Sequence, residues 1–331
     1  MKRFIDDNGT FEINVPTTLR YSLKDAKVHT FQEYEIWKSD AFQLSIRKVK
    51  EETEKNNFLR ICKSLHVTKI GNLEYYSFPD ASDKDFTTKT WTRLFEDKIV
   101  LFTLTHPNNP DKELDSRSIE EKIQTVYSMI KTFRLIDSTK SANEINSYRL
   151  DMFLQGVGAT SLILSKAIEN KAFIEATCII ANQIDAMLRI GIVLKNQIAN
   201  SNGEIETEWI YQGLSAKKKS EKDVYKKSLD LGVIDQTFFN ELYTLYDDRN
   251  RVIHRFIISE ITLAEVEEIA YKYHVKAEAL CIIIYDIEAE QIRLNVGMTT
   301  IGNGNENVNH LDYIKGKIGK LNYFDDKDNA K

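Results

Sequence analysis

The residues of this chain best equipped for chemistry stand together in the run Asp247-Asp248-Arg249-Asn250-Arg251-Val252-Ile253-His254. An imidazole with an ordinary pKa near about 6.5 can take and return a proton at neutral pH, which suits His254 to a proton shuttle. The forked donors of Arg249 can hold phosphate oxygens as charge develops on them. Asn250 is neutral and can donate to phosphate or orient the imidazole. On a helix Asn250 and His254 share a face at i, i+4, whereas five residues turn Arg249 about 140° away from His254. The arginine must reach round or act across a subunit interface, so this arrangement favours a symmetric homodimer with both motifs lining one cleft. A structural reading stands beside the catalytic one. Arg249 continues the stripe Phe238, Leu242, Leu245, Val252 and Phe256, as a cation paired with a buried acid would, and His254 near a helix end can simply answer the helix dipole.

Two further constellations surround that run. The segment FIEATCIIANQIDAMLRIGIVL is apolar nearly all round, yet Glu175, Asn182, Asp185 and Arg189 occur within it, placed within about 80° of one another on a helix. Buried polar groups need partners, and the expected partner is the polar face carrying Arg249, Asn250 and His254, or the same stripe in a second subunit; a solvated helix face is the plain alternative. The second constellation is Lys217, Lys218, Lys219, Lys222, Lys226 and Lys227, interrupted by Glu221 and Asp223. Such like charges repel unless solvated or bound to an anion. With Trp209, Tyr211 and Tyr225 nearby to stack on unpaired bases, this is a candidate RNA-binding surface; a soluble loop is the plain alternative.

Other chemistries find little support. The 6 histidines form no HxxxH, the serines lack nucleophile-elbow glycines, no Walker-type loop exists, and Gly302-Asn303-Gly304 lacks the strand-turn-helix setting of a nucleotide loop. Cys62, Cys178 and Cys281 form no CxxC and lie in mostly apolar settings, so they read as buried thiols, and neither metal nor cofactor is expected. Residues 1–140 carry 23 Lys or Arg against 22 Asp or Glu, leaving 22 against 28 for the remainder. Neither half is a basic nucleic-acid platform, and nothing signals DNA. The start, MKRFIDDNGTF, reaches two aspartates before any hydrophobic stretch, and no apolar run approaches the roughly 18 residues of a membrane span. A cytoplasmic protein is expected, with no membrane partner.

These residues need two kinds of scaffold. The chain has 331 residues, 42% of them hydrophobic, enough for two ordinary domains. All 4 prolines, Pro16, Pro79, Pro107 and Pro110, fall in the first third. There alternation dominates: Phe11, Ile13, Val15; Phe42, Leu44, Ile46; Leu73, Tyr75; Phe86, Thr88, Thr90; and Ile99 to Leu104. Five or six antiparallel strands are expected, with turns at Asn8-Gly9, Ile70-Gly71-Asn72 and His106 to Pro110. A capping box, Ser118 with Glu121, opens a helix whose apolar face is Ile119, Ile123, Val126, Tyr127 and Ile130. Residues 1–138 therefore read as an α+β domain, and 139–146 as a polar linker. Helices are expected over 147–170, 172–199 and 220–231, then from a cap at Asp235 to 256, and from a capping box at Thr262 and Glu265 to 293. Residues 147–296 form the helical domain, and 297–331, with its loop at 302–309, an irregular C-terminal segment.

The opening FEINVPTTLRYSL and the closing EEKIQTVYSMIKTFRLI of the first domain resemble the PsbP-like α+β sandwich family. The resemblance implies a binding or assembly module and carries over no active site. The Arg-Asn-x-x-x-His run, with the preceding SLDLGVIDQTFFNELYTLYDD, resembles HEPN-domain helical bundles over residues 150–270. What that implies is a metal-independent ribonuclease that directs the RNA 2′-hydroxyl at the adjacent phosphate, with Arg249, Asn250 and His254 as the catalytic set and Asn182 or Asp185 facing them. The cleaved RNA would carry a 2′,3′-cyclic phosphate. The rival is a non-catalytic regulatory or assembly module with a protein partner, in which the Arg and His are structural.

Overall fold

Where apolar and polar residues alternate, one face of each strand disappears into a core. In a computed structural model of the chain, describing residues 1–24, 27–33, 40–108, 117–212 and 219–300, Phe11, Ile13 and Val15 are fully buried while Glu12 and Asn14 point the other way. The chain forms two compact units, divided between Ile145 and Asn146. The first holds β1 (Lys2–Ile5), β2 (Phe11–Val15), β3 (Arg20–Lys24), β4 (Val28–Gln32), β5 (Ala41–Lys48), α1 (Glu52–Cys62), β6 (His66–Ile70), β7 (Leu73–Ser77), β8 (Ala81–Ser82), β9 (Phe86–Phe95), β10 (Lys98–Pro107), α2 (Ile119–Ile130) and β11 (Arg134–Leu135). A small sheet has the order β1-β2-β11, and a large one the order β3-β4-β5-β10-β9-β7-β6, with β8 paired to β9. Every pairing is antiparallel.

The long β10 is the centre, with Phe102 opposite Leu44 on one side and Trp91 on the other. Phe102 also meets Phe133 edge to face at 5.0 Å, a favoured arrangement for aromatic quadrupoles. The expected capping box at Ser118 and Glu121 starts α2, whose Val126, Met129 and Ile130 join the same core. Turns occur at Gly9 and Gly71, both with φ near +60°, where glycine has no Cβ to clash. The third expected turn differs: His106 and Pro107 end β10, and Asn109 and Pro110 lie outside the described residues.

More strands exist than alternation announces. In β6 only Ile70 is buried, so no apolar periodicity marks it. Helix α1 was likewise silent, because Cys62 is its one buried residue.

The second unit is helical: the remainder of α3 (Ser141–Glu169), then α4 (Phe173–Asn200), α5 (Thr207–Ile210), α6 (Glu221–Asp230), α7 (Gln236–Arg255) and α8 (Leu263–Leu294). The expected linker at 139–146 is largely the first turn of α3. Nothing in SANEINS breaks a helix, and Glu144 is anchored by Arg3 at 3.0 Å and Arg134 at 3.3 Å. Helix α4 is long and apolar enough by composition to cross a membrane, but its Ile184, Leu188, Ile192, Val193 and Leu194 are core residues shared with α6, α7 and α8. At Gly191 a Cβ would come within 2.6 Å of Val233 Cγ1 and 2.9 Å of Ile284 Cδ1, so that close approach requires glycine. The Gly232 stop closes α6 with Val233 N–H donating to Ser228 C=O at 2.8 Å and Gly232 N–H to Leu229 C=O at 3.0 Å, both halves of a Schellman motif. In the last turn of α8, the amide of Gln291 donates to Leu194 C=O and to Gln197 Oε1, each at 2.9 Å. The 302–309 loop, Gly302-Asn303-Gly304 included, lies outside the described residues.

Candidate functional site

Helix α7 begins at Asp235, whose carboxylate accepts from Phe238 N–H at 2.8 Å, and its stripe Phe238, Leu242, Leu245 and Val252 is buried. That stripe fixes the rotation of α7 and turns Arg249 inward. The arginine does not meet the α4 stripe expected of it. Its Nη1 donates to Glu221 Oε2 at 2.5 Å, with the two side chains only 14% and 16% exposed. Glu221 is placed by the capping box of Ser220 and Asp223 that starts α6. One of the two acids that interrupt the lysine cluster is thus the counter-ion. One signal was available: Glu221, Val224, Tyr225 and Ser228 recur at helical spacing, and that is the inner face of α6.

Tyrosines enclose the pair. The Tyr225 hydroxyl donates to Glu221 Oε1, the Arg249 guanidinium lies 4.8 Å from the Tyr246 ring centroid, and the Tyr273 hydroxyl donates to Leu245 C=O at 2.8 Å. Burial, reinforced by the Glu221 charge, pushes the Tyr225 phenol far above its ordinary range. Tyr273 rises for the same first reason, against the pull of Arg249. Burial works against the charge of Arg249, but the Glu221 hydrogen bond and charge outweigh it and its pKa goes up. Helix α4 contributes Cys178 to this surrounding, where burial raises the thiol despite Arg249.

The other candidates fall in different places. Asn250 is half-buried and accepts from Arg249 Nη2 at 3.4 Å. His254 is exposed near the end of α7, and no hydrogen bond joins it to Arg249 or Asn250. Glu175 and Asn182 are exposed, so the α4 stripe is not a buried row. Its lower half pairs with itself, Arg189 Nε donating to Asp185 at 2.6 Å. Arg189 also donates to the carbonyls of Trp209 at 2.8 Å and Lys219 at 3.4 Å, which pins the chain around α5.

Lys217 and Lys218 lie outside the described residues. Lys219 sits 3.5 Å above the Trp209 ring centroid and 3.3 Å from Glu208, and Lys222 lies 4.5 Å from the Tyr246 ring centroid. Lys226 is exposed and Lys227 half-buried. Trp209 and Tyr225 are buried, which corrects the expectation that they could stack on bases. Tyr211 keeps an exposed ring, with the Arg149 guanidinium 4.5 Å from its centroid. Cys62 is buried and Cys178 half-buried, but Cys281 is exposed, against the expectation of three buried thiols. Among the described residues no group of three His, Cys, Asp or Glu is placed to hold a metal.

No family model matches the chain, and a comparison with curated proteins returns no match. Solved structures similar to it include two of low identity. One is a crystal structure from Bacteroides thetaiotaomicron VPI-5482, 13% identical, covering 78% of this chain and 79% of that one, with a TM-score of 0.33. The other is the solution structure of PsbP (CyanoP) from Synechocystis sp. PCC 6803, 11% identical, covering 41% of this chain and 92% of that one, with a TM-score of 0.29.

Proposed function

We propose that the helical unit is a HEPN-like bundle acting as a non-catalytic regulatory or assembly module, in a cytoplasmic protein whose first unit is a PsbP-like binding module. What supports this reading is the Arg249–Glu221 pair. A guanidinium whose Nη1 donates to a carboxylate at 2.5 Å, beside a tyrosine ring and only 14% exposed, already has its counter-ion, and the His254 imidazole stands apart in solvent. Breaking such a pair strands a charge, which is the behaviour of a structural cation. The test is to incubate the full chain with a mixed RNA pool in chelator. The expected result is intact RNA; cleavage to 2′,3′-cyclic phosphate ends that disappears in a folded His254→Ala variant would overturn the reading.

One observation favours RNA cleavage as a second reading. The exposed His254 is free to meet a substrate, and a second subunit could bring it a cation that its own Arg249 cannot supply. On that reading His254→Ala would lose about a hundredfold or more in rate with the fold intact.

A further inference from the structure

Helix α8 has two apolar faces. One, with Val266, Ile269, Tyr273, Ala277, Leu280 and Ile287, is the wall of the bundle core. On the opposite side Tyr271, Val275, Ile282, Tyr285, Ala289 and Ile292 are all exposed, with Tyr271 67%, Ile282 64% and Tyr285 66% accessible. Including Glu278, the intervals along this stripe are 4, 3, 4, 3, 4, 3. That is the spacing of a coiled-coil seam, which the described residues of one chain leave exposed.

The charges beside the seam say what it meets. Lys272 and His274 flank its N-terminal half, and Asp286 and Glu288 its C-terminal half. If a second α8 is laid antiparallel with Glu278 opposite Ile282, the layers become Tyr271 with Ala289 and Val275 with Tyr285, large against smaller. In that register Lys272 faces Asp286, His274 faces Glu288, and Cys281 meets its own copy near the two-fold axis. In a parallel alignment like charges would face each other, so the charge pattern selects the antiparallel one.

We propose that α8 is the seam of an antiparallel homodimer in which this stripe packs on the same stripe of a second copy. The proposal gives the assembly reading a partner, yet it stands on α8 alone, so its failure and the failure of the Arg249 reading are separable. Light scattering of the full chain at tens of micromolar, on the order at which modest dimers associate, should give the mass of two chains. Ile282→Glu, at an exposed position that folding does not need, should weaken association by about a hundredfold. Lys272→Glu should weaken it by about tenfold, and the double variant Lys272→Glu with Asp286→Lys should restore it, because the exchanged charges meet again across the axis. A short bismaleimide should couple the wild-type copies and fail with Cys281→Ser. A monomeric wild type, a dimer indifferent to Ile282→Glu, or no rescue in the double variant would each overturn the proposal.

Discussion

The sheet unit and the helical unit use aromatic rings for different purposes. In the sheet unit phenyl rings are the core: Phe11, Phe31, Phe42, Phe102 and Phe133 fill the space between sheet and α2. Its ion pairs differ in depth: Arg3 and Arg134 around Glu12 keep their side chains 33% and 48% exposed, whereas Lys122 meets Asp40 at 3.0 Å with the two side chains 6% and 15% exposed. In the helical unit the deepest packing is Ile, Leu and Val, and the tyrosines gather around one enclosed ion pair. A phenol can do there what a phenyl ring cannot, since it closes off water and still supplies a donor. The helical unit is therefore brittle at a charge enclosed by phenols, and the sheet unit at the volume of its phenyl rings and at the Lys122–Asp40 pair.

The largest effect should come from Arg249→Ala, which leaves Glu221 enclosed without its partner and should cost about 3 to 5 kcal/mol in denaturant melts. Arg3→Ala, in the half-exposed cluster of the sheet unit, should cost less than about 1 kcal/mol. Equal losses would end the contrast between the two ion pairs. Next, Gly191→Ala should cost about 1 to 3 kcal/mol by overpacking against Val233 and Ile284, even though alanine is the better helix former. A variant as stable as wild type would mean the α4 to α8 contact yields easily.

The pH dependence should separate the units again. Burial of His29 lowers its pKa below 6.5, with Asp6 and Asp7 opposing. The unfolded chain therefore binds this proton first as pH falls, so stability is lost on going below about 6.5. Tyr225 is raised by burial and Glu221, so its contribution is present below about pH 10 and lost above it, as the unfolded chain releases a proton the folded one keeps. Melts at pH 7 and 5.5 for wild type and His29→Phe, and at pH 9 and 11 for wild type and Tyr225→Phe, read the two slopes; unchanged slopes in the variants would assign them elsewhere. The smallest effect is expected at His254, where alanine should change stability by less than about 0.5 kcal/mol.

What could be read in the sequence was whatever is written locally. The capping boxes at Ser118 and Thr262 and the α7 stripe are patterns within one helical turn or one helix face, and they place the ends and rotations of those helices. The counter-ion of Arg249 is 28 residues away on another helix, in a stretch whose lysines speak louder than its two acids. Pairing between elements depends on how helices cross, which no local spacing encodes. The short strands carry no such mark for a related reason, since β1 and β6 each bury a single residue and are held by backbone bonds to better-marked neighbours.

The amide clasp of Gln291 has a chemical consequence of its own. Its NH2 group donates to Leu194 C=O and to Gln197 Oε1 while its oxygen accepts from the Thr299 hydroxyl at 2.6 Å, so both ends of the amide are in use. Replacing the amide by a carboxylate, as in Gln291→Glu, would exchange that donor for a second oxygen and place an anion against two acceptors in a fully enclosed position. An almost isosteric change, adding no bulk, would thus uncouple the end of α8 from α4.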